Sequence, residues 1–158
     1  MTNIGLWFLE KVIAVVPGLL LKRVFPPEKV ATHIRVELVG ERPIAPSLTS
    51  SVPHLDLNLS VTNLSPLQLR LDRMLVDLWF GQPVLNGALL ERMVVPPRST
   101  ENLMYFRGQL SSAQVRQVEP YTQTNPPSAP ISLTVRAYFD TRVGPVEYER
   151  RFERRSAH

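Results

Sequence analysis

The chain has 158 residues, 44% of them hydrophobic, and a formal net charge of +4. A chain of this length can bury one sizeable core, so we expect one domain with an appendage. The absence of cysteine excludes a disulfide framework, a thiolate nucleophile and a cysteine-ligated metal. Fifteen prolines against seven glycines suit an all-β protein with many turns and would break up a helical bundle.

Arginine supplies most of the positive charge, with fifteen arginines against three lysines. The basic residues are spread along the chain, and only residues 150–155 concentrate them. Such a segment is typical of a solvated final strand, and an anionic partner at this tail is the alternative interpretation. Nucleic acid is therefore not the expected partner.

Residues 4–21 are almost wholly apolar and are followed by two basic residues. At about 100° per residue, the apolar side chains cover a broad arc, and Glu10, Lys11 and Leu21 fall in the opposite sector. This pattern predicts an amphipathic helix with a wide apolar face. The residues that we predict to associate with a membrane are Trp7, Phe8, Leu9, Val12, Ile13, Val16, Leu19, Leu20, Lys22 and Arg23.

Four interpretations of this helix differ in what covers its apolar face. A cleaved secretory signal is disfavoured because no positive charge precedes the apolar residues. A membrane-spanning helix has adequate length but carries Glu10 and Lys11 near its middle. An interfacial or partner-docked helix keeps both charges in water. In the fourth interpretation the helix covers the apolar face of the β-domain itself.

Pro26 and Pro27 separate the two parts of the chain and predict a stiff, extended hinge. We therefore expect a membrane-associating helix at residues 1–25 and a β-domain at residues 26–158. The protein is expected at a membrane, either peripheral or single-pass.

Beyond the hinge, short segments alternate apolar and polar residues between turn signals. Leu55, Leu57, Leu59 and Val61 give the clearest alternation and predict a strand with one buried face. About seven such segments predict a mainly β, two-layer antiparallel sandwich. The other predicted elements are strands at 32–39, 67–80 (with a bulge at 72–73), 89–95 and 102–110, a connection at 40–53, a short capped helix at 112–118, a loop at 121–130 and a final hairpin at 131–152.

A series of turn signals runs through the middle of the chain. The asparagine can bond its own turn, the glycines supply positive φ, and the prolines fix the entry into each turn. We predict turns at residues 63–66, at residues 81–83 and at Asn86-Gly87. The residues of this structural motif are Asn63, Pro66, Gly81, Pro83, Gly87 and Pro96.

The order and spacing of these signals resemble the type-2 late embryogenesis abundant proteins, also called the water-stress and hypersensitive-response domain. The resemblance covers about residues 32–153, and the usual Asn-Pro pair is here split between Asn63 and Pro66. It implies an immunoglobulin-like or fibronectin-like sandwich, no enzymatic activity, and roles in stress protection or membrane-associated interaction. Members of this family often carry an N-terminal membrane segment.

Few residues have the types and spacing that a catalytic, metal-binding or phosphate-binding site requires. His33, His54 and Asp56 would form a metal site only if their strands brought them together. The sequence has no Gly-x-Ser-x-Gly elbow and no phosphate-binding glycine loop. We therefore expect no enzyme, no catalytic residue, no metal and no cofactor. An aromatic platform for nucleic acid would require convergence of Tyr105, Phe106, Tyr138, Tyr148, Arg107 and Arg136, which are more typical of ordinary sandwich positions.

The leading functional hypothesis is a non-catalytic, membrane-associated β-sandwich module. It would act as an interaction or structural module, as an accessory subunit of a membrane complex, or in stress protection, with a membrane surface or a membrane protein as partner. The alternative is a carrier of lipid or another apolar ligand, with a cavity between the sheets.

Overall fold

Strands dominate the computed structural model, which describes residues 11–12, 15–90, 92–122 and 131–154. Three short helices accompany them in this part of the chain: α1 (Gly18–Val24), α2 (Pro27–Ala31) and α3 (Ser112–Thr122). The strands found in the same residues are β1 (Ile34–Leu38), β2 (Ile44–Ser47), β3 (His54–Asn63), β4 (Leu69–Phe80), β5 (Gln82–Leu89), β6 (Met93–Val95), β7 (Ser99–Gln109), β8 (Ile131–Thr141) and β9 (Gly144–Arg154).

The strands form two antiparallel sheets. In the first sheet, β3 pairs with β7 on one side, while β1 and β2 share its other side. In the second sheet, β8 pairs with β4 and β9, while β5 and β6 share the other side of β4. Each sheet is therefore built around one long strand, and an edge of each consists of two short strands placed end to end.

Alternating side chains from the two sheets fill the space between them. The predicted inward set on β3, Leu55 to Val61 at every second residue, is fully buried and confirms the predicted face. The predicted change of phase in β4 is also confirmed, because a register shift lies between Leu71 and Arg73 where β4 meets β8. The largest side chains in this core are Phe139, Leu55, Leu57, Leu59, Leu67, Leu69, Leu71, Met74, Leu78 and Leu133.

The predicted short helix at residues 112–118 is present as α3. Its start follows the reciprocal capping pattern, because Ser111 and Gln114 exchange bonds. The backbone N–H of Ser111 donates to Oε1 of Gln114 at 2.7 Å, and the N–H of Gln114 donates to Oγ of Ser111 at 3.4 Å. Val118 on this helix is fully buried, so α3 covers one border of the core.

Two predicted connections are strands in the structure. The Pro- and Ser-rich connection at residues 40–53 contains β2, whose side chains are half-buried and show no alternation. Asn86-Gly87 is not a turn, because β5 runs through both residues opposite Asp77 and Val76. The strand predicted at residues 89–95 is divided between the end of β5 and β6.

The two motif glycines have different roles. Gly81 has φ of 68° and makes the turn between β4 and β5, as predicted. Gly87 does not adopt positive φ; a Cβ there would lie 2.7 Å from Cζ of Phe106 on the opposite sheet. Gly87 therefore provides room for a core ring, which corrects its predicted role as a turn residue.

The predicted proline hinge is extended only at its first residue. Pro26 has φ of −62° and ψ of 152°, whereas Pro27 is the first residue of α2. Proline suits the first helical position because its fixed φ is helical and the backbone N–H at that position needs no helical partner. The boundary between the two parts of the chain is therefore an extended residue, Pro26, followed directly by α2.

We expect Leu57→Ala to lower the free energy of unfolding by about 2–5 kcal/mol, because Leu57 is fully buried between the sheets. Leu103→Ala is the matched control. Leu103 lies on the neighbouring strand β7 with its side chain exposed, so its loss should change stability by less than about 0.5 kcal/mol. Urea unfolding of both variants measures the difference, and equal effects would contradict the assignment of the inner face.

Candidate functional site

Helix α1 packs against the turn between β8 and β9. Leu21 is 4% exposed and joins the core, and Val16 and Phe25 pack beside it. The guanidinium of Arg142 donates to the carbonyl of Val16 at 3.3 Å. The helix also approaches the turn closely at Gly18, where a Cβ would lie 2.8 Å from the carbonyl oxygen of Arg142. These contacts fix the orientation of the helix on the domain.

The opposite side of α1 is apolar and exposed. Leu19 is 84% exposed and Leu20 54%. Val15, ahead of the helix, and Val24, its last residue, are also exposed. We use the name α1 outer face for Leu19, Leu20 and Val24 of the helix together with Val15, which precedes it. The helix thus has two apolar sides, one that anchors it to the domain through Leu21 and one that the domain leaves uncovered.

The predicted membrane-associating residues divide between these two sides. Val12, Leu19 and Leu20 are exposed, whereas Val16 is half-buried against the core. Among the described residues, the structure contains no helix of the length and apolarity that a bilayer crossing requires. The remaining predicted residues, Trp7, Phe8, Leu9 and Ile13, lie outside the described residues.

Basic side chains surround the α1 outer face. Lys22 and Arg23 are exposed in the last turn of α1. Lys29 on α2 donates to the carbonyl of Val24 at 3.4 Å, and its ammonium lies 5.5 Å from the ring centroid of Phe25. The exposed apolar row therefore borders positive charge within one turn of helix.

The motif residues at the turn between β3 and β4 have structural roles. The side chain of Asn63 is buried, and its Nδ2 donates to the carbonyls of Leu67 at 2.8 Å and Pro96 at 2.9 Å. Its Oδ1 accepts from the N–H and the hydroxyl of Ser65 at 3.0 and 2.7 Å. Asn63 thereby joins the turn that carries Pro66 to the turn that carries Pro96.

A polar cluster lies on the outer face of the first sheet. Arg107 donates to both carboxylate oxygens of Asp56, from Nε at 2.8 Å and from a terminal nitrogen at 3.2 Å. Its guanidinium also donates to the hydroxyl of Tyr105. The hydrogen bond from Arg107 is the main reason that the pKa of Asp56 lies below its ordinary value, and partial burial opposes this shift.

The residues considered for metal or nucleic-acid binding are not brought together. His33 lies beside the end of β3 and His54 at its start, where Nε2 of His54 is 3.6 Å from the carboxylate of Asp56. Across the described ranges there is no cluster of three side chains suited to hold a metal. The aromatic residues are dispersed: Phe106 is in the core, Tyr105 is on the outer face of the first sheet, and Tyr138 contacts Arg73 on the second.

Comparison with solved structures finds distant similarities, including the following two. A crystal structure of a protein from Archaeoglobus fulgidus has a TM-score of 0.46 and 13% identity, covering 78% of this chain and 97% of that one. The solution structure of a protein provisionally assigned as late embryogenesis abundant has the same TM-score and identity, covering 92% of this chain and 85% of its own. No family model and no curated sequence matches. At this level of similarity, neither structure assigns a function to this chain.

We expect the chain without residues 1–25 to remain folded, because in the described part of the chain every buried core residue except Leu21 follows the boundary. Its free energy of unfolding should fall by about 1.5–3 kcal/mol, the value of one buried leucine. In the full chain, Leu21→Ala should reproduce most of this loss and the exposed neighbour Leu19→Ala should not. Thermal unfolding followed by circular dichroism measures both. A truncated protein without a cooperative transition would show that the β-domain cannot fold without the helix.

We expect Arg107→Gln to raise the pKa of Asp56 toward its ordinary value of 3.8. Because the pKa is lowered in the folded state, the pairing stabilises the protein above pH 3.8 and this contribution is lost as the pH falls through the folded pKa. The stability difference between wild type and variant should therefore shrink in acid.

A carbon NMR titration of the Asp56 carboxyl measures this change, with Arg35→Gln on the same sheet as the control. An unchanged Asp56 titration in Arg107→Gln would contradict the assigned cause.

Proposed function

We propose that the protein is a non-catalytic β-sandwich module that docks on an anionic membrane surface through the α1 outer face. The observation that supports this proposal is that one short helix, α1, is apolar both where it packs on the domain and where it is exposed. Leu21 holds the helix to the domain, while Leu19 and Leu20 stay in water although the core is close by. Exposed apolar side chains that adjoin one another and are rimmed by polar residues are typical of an interaction site.

Apolar burial would supply most of the binding free energy. A leucine or valine transferred completely from water contributes about 1.5–3 kcal/mol, so even partial insertion of the four residues is worth several kcal/mol. Lys22 and Arg23 add about 1 kcal/mol each near anionic headgroups. The sequence of residues 4–21 is almost wholly apolar, which favours a bilayer over a small protein groove as the partner.

Other residues at the same end of the domain support an end-on orientation. The turn between β3 and β4 ends near the start of β1, because the N–H of Leu64 donates to the carbonyl of His33 at 2.8 Å. Leu64 is exposed there, and so is Arg142 in the turn on which α1 rests. With α1 on the bilayer, the opposite end of the strands points into solution.

We also propose that the sandwich is of the fibronectin-like type and that the chain is a divergent type-2 late embryogenesis abundant protein. The sheet order supports the first proposal: β1/β2, β3 and β7 oppose β5/β6, β4, β8 and β9, three strand positions against four. The bonds of Asn63 to both motif turns support the second, since they give the separated motif residues one shared structural role. Stress protection and service as an accessory subunit are both compatible with such a docked module.

The carrier hypothesis has weaker support. It requires an apolar cavity between the sheets, and side chains such as Phe139, Leu57 and Leu133 fill that space in the described residues.

Flotation with liposomes tests the docking proposal. Wild-type protein should float with anionic vesicles, and should still float at raised salt, because burial of apolar surface is not screened by ions. Leu19→Asp/Leu20→Asp should reduce the floating fraction strongly, since it places two charges on the α1 outer face.

The matched control is Leu90→Asp/Leu103→Asp, which changes two exposed leucines elsewhere on the domain. It should float like the wild type. If the α1 variant floats as well as this control, or if salt alone releases the wild type, the apolar-docking proposal is wrong.

A further inference from the structure

A groove of about 610 Å³ lies on the outer face of the second sheet. Its floor is formed by β4, β5 and β8, and Gln114 on α3 contributes to one wall. Trp79 lies near the end of β4 that pairs with the start of β8, whereas α1 rests on the turn at the other end of β8. The groove is thus toward the end of the domain remote from the α1 outer face, and it is independent of it.

Trp79 supplies a large exposed apolar plane in this groove. Its side chain is 45% exposed, although its neighbours Leu78 and Phe80 are buried in the core. Pro83 lies opposite Trp79 on β5, so the indole has a rigid neighbour on the adjacent strand. An exposed indole that lines a groove gives a ligand contact area at a small cost in side-chain entropy.

Polar side chains that hydrogen-bond to one another lie next to Trp79 on the outer face of the second sheet. Asp77 precedes Trp79 by two residues on β4 and therefore points to the same side, about 7 Å away. Its carboxylate accepts from Arg136 at 2.7 Å and from the amide of Asn86. Thr134 lies opposite Asp77 on β8. These mutual hydrogen bonds hold donors and acceptors in place before a ligand arrives.

The charge of the groove disfavours charged ligands. Arg136 is paired with Asp77, and the remaining charged lining residue, Glu149, lies opposite Arg136 on β9. An anion such as a phosphate or a nucleic acid would meet two carboxylates and a guanidinium that is already paired. A wholly apolar ligand would leave the carboxylate, amide and hydroxyl groups of the lining desolvated without a partner.

We propose that this groove binds a neutral saccharide. A sugar ring offers an apolar face of C–H groups that stacks on the indole of Trp79, and a rim of hydroxyls that donate to and accept from Asp77, Asn86 and Thr134. The open shape suits a short stretch of a longer glycan, and the volume is in the range of small-ligand sites.

The test is NMR titration of the full-length protein with neutral tetrasaccharides, using cellotetraose and maltotetraose as probes. The chain has two tryptophans, so two indole N–H signals are expected, and Trp79→Phe assigns them. A saturable shift of the Trp79 signal is expected, with a Kd of about 1 mM for one stacked ring in an open groove. Trp79→Ala should weaken binding about tenfold or more, and Asn86→Ala, which keeps the indole, severalfold.

The matched control is Tyr105→Ala, because Tyr105 is 46% exposed on the outer face of the other sheet. It should leave the titration unchanged, and amide spectra of all variants verify that they are folded. The proposal is overturned if neither probe shifts the Trp79 signal at about 10 mM. It is also overturned if Trp79→Ala binds like the wild type.

Discussion

The architecture depends on the crossing of the chain from the first sheet to the second, between β3 and β4. These are the two strands around which the sheets are built, so the turn that joins them sets how the sheets face each other. Asn63 fixes this turn from inside, with four hydrogen bonds in a place where water cannot replace them. One of those bonds reaches Pro96, so the entry into β7 is set by the same side chain.

The placement of α1 makes one end of the domain different from the other, because it leaves apolar side chains exposed there. Leu21 joins the core while Val16 and Gly18 meet the turn between β8 and β9, and this leaves Leu19 and Leu20 facing outward on a helix of only seven residues. Such a helix has little stability of its own, so the contact through Leu21 is what keeps the exposed leucines in a defined orientation. The proposed docking would therefore rely on core packing as much as on the exposed residues.

Local sequence patterns predicted the elements whose faces are unambiguous. The alternation in β3, the change of phase in β4 and the serine cap of α3 each lie within one segment of the chain. The strand β2 and the continuous path of β5 through Asn86 and Gly87 were missed because each depends on a partner strand. Likewise, the apolar character of α1 was visible in the sequence. Which of its side chains faces the core was not, because the helix is oriented by contacts with Arg142 in the distant turn between β8 and β9. The groove at Trp79 arises from four separate strands and a helix, and no local pattern marks it.

The division of two sheet edges into short strands affects how copies of the protein can associate edge to edge. Under the proposed docking on a bilayer, copies would meet at high local concentration with their strands aligned, an arrangement that favours edge-to-edge joining into fibres. A continuous row of unpaired backbone groups is needed for that joining. The edges made of β1 with β2, and of β5 with β6, are interrupted, and their pieces run for five, four, eight and three residues. On those two sides, a neighbouring chain finds no long template, so the sheets can be crowded together without polymerising there.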